Sequence, residues 1–160
     1  MEQLLDTEIH QEPMTVAVVL HWLAESHMKA RSLKDGILIP WAMLGVGLVA
    51  TNSTLVKLPT QKQSFTGWIR GEGAREWRGY TKHIILAWKG SFWRAFAFGS
   101  AAGVLSLNNG RLCSQGKICS PDITSSAGIV RRAARAIGGT IGAEQDDLRI
   151  ASALGLEFES

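Results

Sequence analysis

Apolar residues recur at helical spacing along most of the chain. After Pro13, Val16, Leu20 and Leu23 fall at i, i+4 and i+7 with Val19 and Met28 beside them, which predicts a helix from Met14 to about Ala30. Pro13 suits a helix start, where its missing N–H would have no partner anyway. The basic stretch 29–34 complements the negative end of that helix's dipole, and Asp35-Gly36 turns the chain. Pro40 opens a second helix, to about Ala50, that is apolar on every side and therefore central and buried. Residues 55–58 predict a short strand, and Ser64 is placed to cap a short helix over 65–69. Gly67, Gly71 and Gly73 loosen the link to the next element.

The next stripe is Trp77, Tyr80, Thr81, Ile84, Ile85 and Trp88, an amphipathic pattern that predicts a helix over 74–88. Gly90 is expected to break it and Ser91 to cap a further helix over 92–103, with Phe92, Ala95, Phe96 and Gly99 on one face. Directly after, Leu105 and Leu107 alternate with polar neighbours, and Asn109-Gly110 is the favoured pair for a type I′ turn, so 104–113 predicts a hairpin. Helix, turn, helix and hairpin together predict a winged helix. A loop over 115–122 comes next. Ser125 or Ser126 then caps a helix through Ile129, Val130, Ala133, Ile137 and Ile141, from which Arg131, Arg132 and Arg135 project. Gly138-Gly139 is expected to weaken or kink it, at about 1 kcal/mol per Gly relative to Ala. Asp146 caps a last short helix that ends at Gly155. The expected fold is mainly α with a small β-hairpin: a single winged-helix-like domain over 13–158 behind an acidic arm, 1–12.

Composition sharpens this picture in two respects. Of 160 residues only 19% are charged, against about 25% in ordinary soluble proteins, and six are tryptophan. Trp favours cores and interfaces, so a chain of this make-up suits life in a complex. Charge is also unevenly spread. Nine of the 14 acids lie in 1–12 and 144–160 with Arg149 as the one base there, which leaves five acids and 16 bases between them, a net of +11. A basic body with acidic ends points to a polyanion or an acidic protein surface.

The remaining features exclude more than they suggest. Cys113 and Cys119 make no disulfide framework and stand far from the four histidines, so ordinary thiols in a reducing cytosol are expected. The first twelve residues are too acidic for a secretory leader. Residues 36–56 carry no charge, but their apolar part spans only 36–50, short of the roughly 20 residues a membrane helix needs. Gly45-Val46-Gly47-Leu48-Val49-Ala50 matches a dinucleotide fingerprint in letters alone, because it lies inside an apolar helix rather than after a strand. The P-loop-like run 110–117 has the wrong spacing, and Ile118 stands where a hydroxyl would hold magnesium. No Ser or Cys shares a plausible catalytic setting with a His and an orienting acid. The expectation is a non-enzyme without a cofactor or metal. In a winged helix the second helix meets DNA, yet 92–103 carries one charge, Arg94, and no Asn, Gln or Lys with which to match base edges. Such a helix suits a protein partner better.

The order of features resembles the middle component of ABC-type three-component systems, of which Lamassu-type defence is the best-known branch. The stretches that carry the resemblance are 16–25 (VAVVLHWLAE), 36–49 (GILIPWAMLGVGLV), 91–112 (SFWRAFAFGSAAGVLSLNNGRL), 129–139 (IVRRAARAIGG) and 151–158 (ASALGLEF). Together they span nearly the whole chain from 13 to 158. The chain departs from the family's look at Gly138-Gly139, where bulkier residues are commoner. The resemblance implies a cytoplasmic adaptor between an SMC-like ATPase that senses foreign DNA and an effector nuclease, which the small subunit helps hold inactive. It carries no catalytic residue over. Within that reading Trp68, Trp77 and Trp93 are candidates for the partner interface. Arg111, Lys117, Arg131, Arg132 and Arg135 are candidates for contact with a DNA backbone or an acidic partner. The competing reading is a small winged-helix DNA-binding regulator.

Overall fold

The structure, a computed structural model, describes residues 12–51, 57–60, 63–71 and 74–156. The acidic arm before Glu12, the first half of the strand expected at 55–58, and the last residues of the chain lie outside this range; Lys57 and Leu58 are in no strand. Among the described residues there are six α-helices and one small antiparallel sheet. The elements are α1 (Pro13–Ala30), β1 (Ile37–Leu38), α2 (Ile39–Val49), α3 (Phe65–Arg70), α4 (Thr81–Ala101), β2 (Leu105–Asn108), β3 (Arg111–Ser114), α5 (Ser126–Ala143) and α6 (Asp147–Ala153).

α1 and α2 form the centre. α2 is buried from Trp41 to Val49, as its all-round apolar pattern requires. α1 packs along α5, and glycines set the distance between them: a Cβ at Gly138 would collide with the Leu23 carbonyl, and one at Gly142 with the His27 carbonyl. Gly138-Gly139 does not break α5, which runs from Ser126 to Ala143. Its helix-propensity cost is offset by close backbone approach to α1, and this is also why a bulkier residue has no place at 138.

The hairpin closes as expected. Asn109 and Gly110 both have positive φ, 52° and 74°, and Asn108 pairs with Arg111 across the turn. β3 is central, with β1 on its other edge through Ile37–Leu112 and Leu38–Arg111 pairs. Ile37 and Leu38 are too short a run to signal a strand against the turn before them and the helix after them.

The helix pair of the predicted winged helix needs correction. Residues 74–80 form a turn and a short 3-10 segment, Arg78–Tyr80, not the first part of a helix. Gly90 does not end a helix, and Ser91 caps none; it lies buried inside α4 and accepts a hydrogen bond from Arg94. One buried stripe, Ile84, Trp88, Phe92, Ala95 and Gly99, runs through the site of the expected break at i, i+4, i+8, i+11 and i+15. Its burial outweighs the roughly 1 kcal/mol that a mid-helix Gly costs. α4 then ends in a Schellman turn, with Gly103 at φ 76° and Val104 N–H donating to the Gly99 carbonyl. That turn feeds β2. The winged-helix order survives with a different pair: α2 and α4 are its two helices, α3 is inserted between them, and β2–β3 is the wing.

Candidate partner-binding face

The three candidate tryptophans part company. Trp68 and Trp77 are 2% and 1% exposed and lie against each other with ring centroids 5.5 Å apart. The Trp68 indole N–H also donates to the Lys57 carbonyl at 3.1 Å. These two rings fasten the segment between α2 and α4 to the core, so neither is a free interface residue. Trp93 differs: it is 41% exposed, the one tryptophan of the six that is not buried.

Trp93 owes its position to the phase of α4. With Ile84, Trp88, Phe92, Ala95 and Gly99 facing inward, residues 86, 90, 93 and 97 face out on successive turns. These are Leu86, at 58% exposure, then Gly90, Trp93 and Ala97. The Trp93 ring is steadied edge-on by Phe92 and Phe96, at centroid distances of 5.0 and 6.0 Å. Phe98 is also exposed. Lys82, Lys89 and Arg94 flank the stripe, all exposed. α4 holds no Asp or Glu in its 21 residues, and among the described residues no acid pairs with these three cations. The face is an apolar centre with a cationic rim.

The candidate basic contacts also divide. Arg111 is engaged internally. It donates to Asp147 at 2.7 Å and to the Gly36 carbonyl at 3.0 Å, and lies 3.4 Å from Asp35. Arg31, buried at the end of α1, bonds both Asp147 oxygens at 3.0 and 3.2 Å and the Glu144 carbonyl at 2.8 Å. Two arginines and two aspartates thus clamp α1, β3 and the start of α6 together. Burial raises the Asp147 carboxyl, but the hydrogen bonds and charges of Arg31 and Arg111 outweigh it and hold the group below its usual range. Sequence reasoning placed Arg111 on the surface because its partners Asp35 and Asp147 come from other elements distant along the chain, a proximity that no local pattern carries. Lys117, in the loop after β3, is exposed, as are Arg132 and Arg135; Arg131 is half-buried. No acid pairs with any of these four among the described residues.

Other polar groups serve the fold. His27 is fully buried, its ring Nδ1 3.2 Å from the Asp35 carbonyl, and burial with the nearby Arg31 charge pushes its pKa down to about 4. His21 lies 3.2 Å from the Gln115 carbonyl and so ties α1 to the loop after the wing. Cys113 and Cys119 are free thiols, the first pushed up by burial. Among the described residues no three His, Cys, Asp or Glu side chains converge as metal ligands would, and no helix is long and apolar enough to cross a membrane. Comparison with known protein families, with curated proteins and with solved structures finds no match.

Proposed function

We propose that this chain is a non-catalytic, cytoplasmic adaptor subunit of an SMC-like ATPase defence complex. It links the DNA-sensing ATPase to an effector nuclease and helps keep that nuclease inactive until foreign DNA is sensed. The observation that carries the reading is the outward face of α4, where a rigid helix of the domain presents Trp93 and Leu86 to solvent. Exposed Trp on a regular element is the kind of anchor that interfaces use. The resemblance of five ordered stretches to the middle component of three-component systems supplies the identity of the partners. Arg132 and Arg135 on α5, with no acidic partner among the described residues, support contact with an acidic partner or a DNA backbone.

A second reading, a small winged-helix DNA-binding regulator, draws on the element order and on the position of α4 beside the wing. The apolar centre of α4 weighs against it, because base edges are read by polar groups. One experiment separates the two. The tagged chain is purified from cells that carry its native operon, and bound proteins are identified by mass spectrometry. A large coiled-coil ATPase recovered with a nuclease supports the adaptor; the chain recovered alone on DNA supports the regulator.

A further inference from the structure

The occupant of the α4 face can be specified further. Gly90 has no internal reason to be glycine. A Cβ there would meet only the Arg94 guanidinium, at an ordinary 3.5 Å, whereas Cβ atoms at Gly47 and Gly99 would strike Ile84 and Leu105. A mid-helix Gly costs about 1 kcal/mol relative to Ala, and at this position no close approach among the described residues is gained in return. Gly90 and Ala97 flank Trp93 one turn away on either side, so a second helix crossing there meets low relief around one raised ring.

Charge selects among occupants. Lys82, Lys89 and Arg94 rim the apolar strip without an acid on α4 to balance them. A second copy of the chain laid on the same face would set cations against cations, since a two-fold contact pairs a surface with itself. A DNA backbone could meet the flanking cations, but it would lay phosphates over Leu86 and Trp93 and leave that apolar surface uncovered by anything apolar.

We infer that the outward face of α4 is a docking site for an acidic amphipathic helix of a partner protein. Its apolar side chains cover Leu86 and Trp93, and its carboxylates face Lys82, Lys89 and Arg94. This rests on the adaptor reading in taking the occupant to be a protein. It goes further in fixing the chemistry of that protein's contact segment.

The test places the photo-crosslinker p-benzoylphenylalanine at 93, and in a second variant at 86, in the full chain expressed with its native operon. After irradiation the cross-linked segment is sequenced by mass spectrometry. The expected product from both positions is one helical segment of a partner chain with Asp or Glu flanking apolar residues. Reversal of the rim, Lys82→Glu with Lys89→Glu and Arg94→Glu, should cut its yield about tenfold. Changing that segment's acids to Lys should restore it. Cross-links to DNA, to a second copy of this chain, or to a neutral or basic segment overturn the inference, as does an unchanged yield after rim reversal or no product from either position. An acidic helix found on a protein other than an ATPase or nuclease leaves this docking site standing while the adaptor reading falls. An ATPase and nuclease recovered with the chain, but not cross-linked from 86 or 93, do the reverse.

Discussion

The clamp at the end of α1 and the outward face of α4 are built with opposite polarity. In the clamp buried Arg31 and half-buried Arg111, Asp35 and Asp147 pair four charges with one another, and the arginines also donate to backbone carbonyls, while Arg31 Nε and Asp35 Oδ1, 3.7 Å apart, make no hydrogen bond. On α4 the apolar side chains Leu86 and Trp93 stand outward and three cations have no acidic partner among the described residues. A charge that is buried and paired belongs to the fold, because removing one partner strands the other. An apolar side chain left in water contributes little to the fold, because its transfer free energy is not collected. The same two residue classes therefore do opposite jobs in one small domain, and stability and binding should separate between the two regions.

The largest expected effect breaks the clamp. Asp147→Ala leaves the buried Arg31 guanidinium without its bidentate acceptor and should cost about 3–5 kcal/mol of stability. Urea denaturation of the purified chain measures it. A loss under about 1 kcal/mol, the range of exposed ion pairs, would mean that the clamp is a surface feature.

Acid should open the same region in two steps. His27 titrates near 6.5 unfolded and about 4 folded, so its folded pKa is depressed. The unfolded chain binds the extra proton first, and stability that is complete above pH 6.5 should fall by about 3 kcal/mol as pH drops to about 4. Asp147 is also depressed, so its contribution is complete above the usual carboxylate range and is lost as pH falls through that range toward its lower folded pKa. His27→Asn keeps a donor at the Nδ1 position for the Asp35 carbonyl and removes the titration. Its stability, followed by urea denaturation from pH 7 to pH 4, should lack the first step.

Substitution at Trp93 is the counterpart on the other region. Trp93→Asp removes edge contacts with Phe92 and Phe96 but opens no cavity, and should cost about 1 kcal/mol or less. Circular dichroism should be unchanged while recovery of partners with the tagged chain is lost. Loss of the folded spectrum would place Trp93 with Trp68 and Trp77 as part of the core.

The sequence carried the regular parts of this architecture and missed the parts that depend on contact across it. The helix from about 14 to 30, the buried helix after Pro40, the Ser64 and Asp146 caps, a cap at Ser125 or Ser126 that the structure places at Ser125, and the Asn109-Gly110 turn were all legible, because each is decided within a few residues. Gly90 is a local helix breaker, but the apolar stripe of Ile84, Trp88, Phe92 and Ala95 keeps its phase across it and decides the element. Trp93 was legible as a candidate but could not be told from Trp68 and Trp77, whose burial depends on each other. Arg111 was legible as a basic residue, but its internal ion pairs were not, because Asp35 and Asp147 reach it from distant parts of the chain.

The smallest effect sharpens the comparison most. Gly90→Ala adds a methyl group that meets nothing closer than 3.5 Å and restores helix propensity, so it should stabilise the isolated chain by about 0.5–1 kcal/mol. Gly138→Ala adds the same methyl group to another helix but drives it into the Leu23 carbonyl, so thermal denaturation of the two variants should move in opposite directions. The signs follow from which surface each glycine faces. Gly138 is small so that this chain's own α1 can come close. At Gly90 nothing among the described residues comes closer than the Arg94 guanidinium at 3.5 Å, and a substitution that stabilises the free chain while weakening its complex would show that the space is kept for another molecule. If Gly90→Ala instead destabilises the free chain, the glycine serves α4 itself and the contrast between the two faces loses its simplest support.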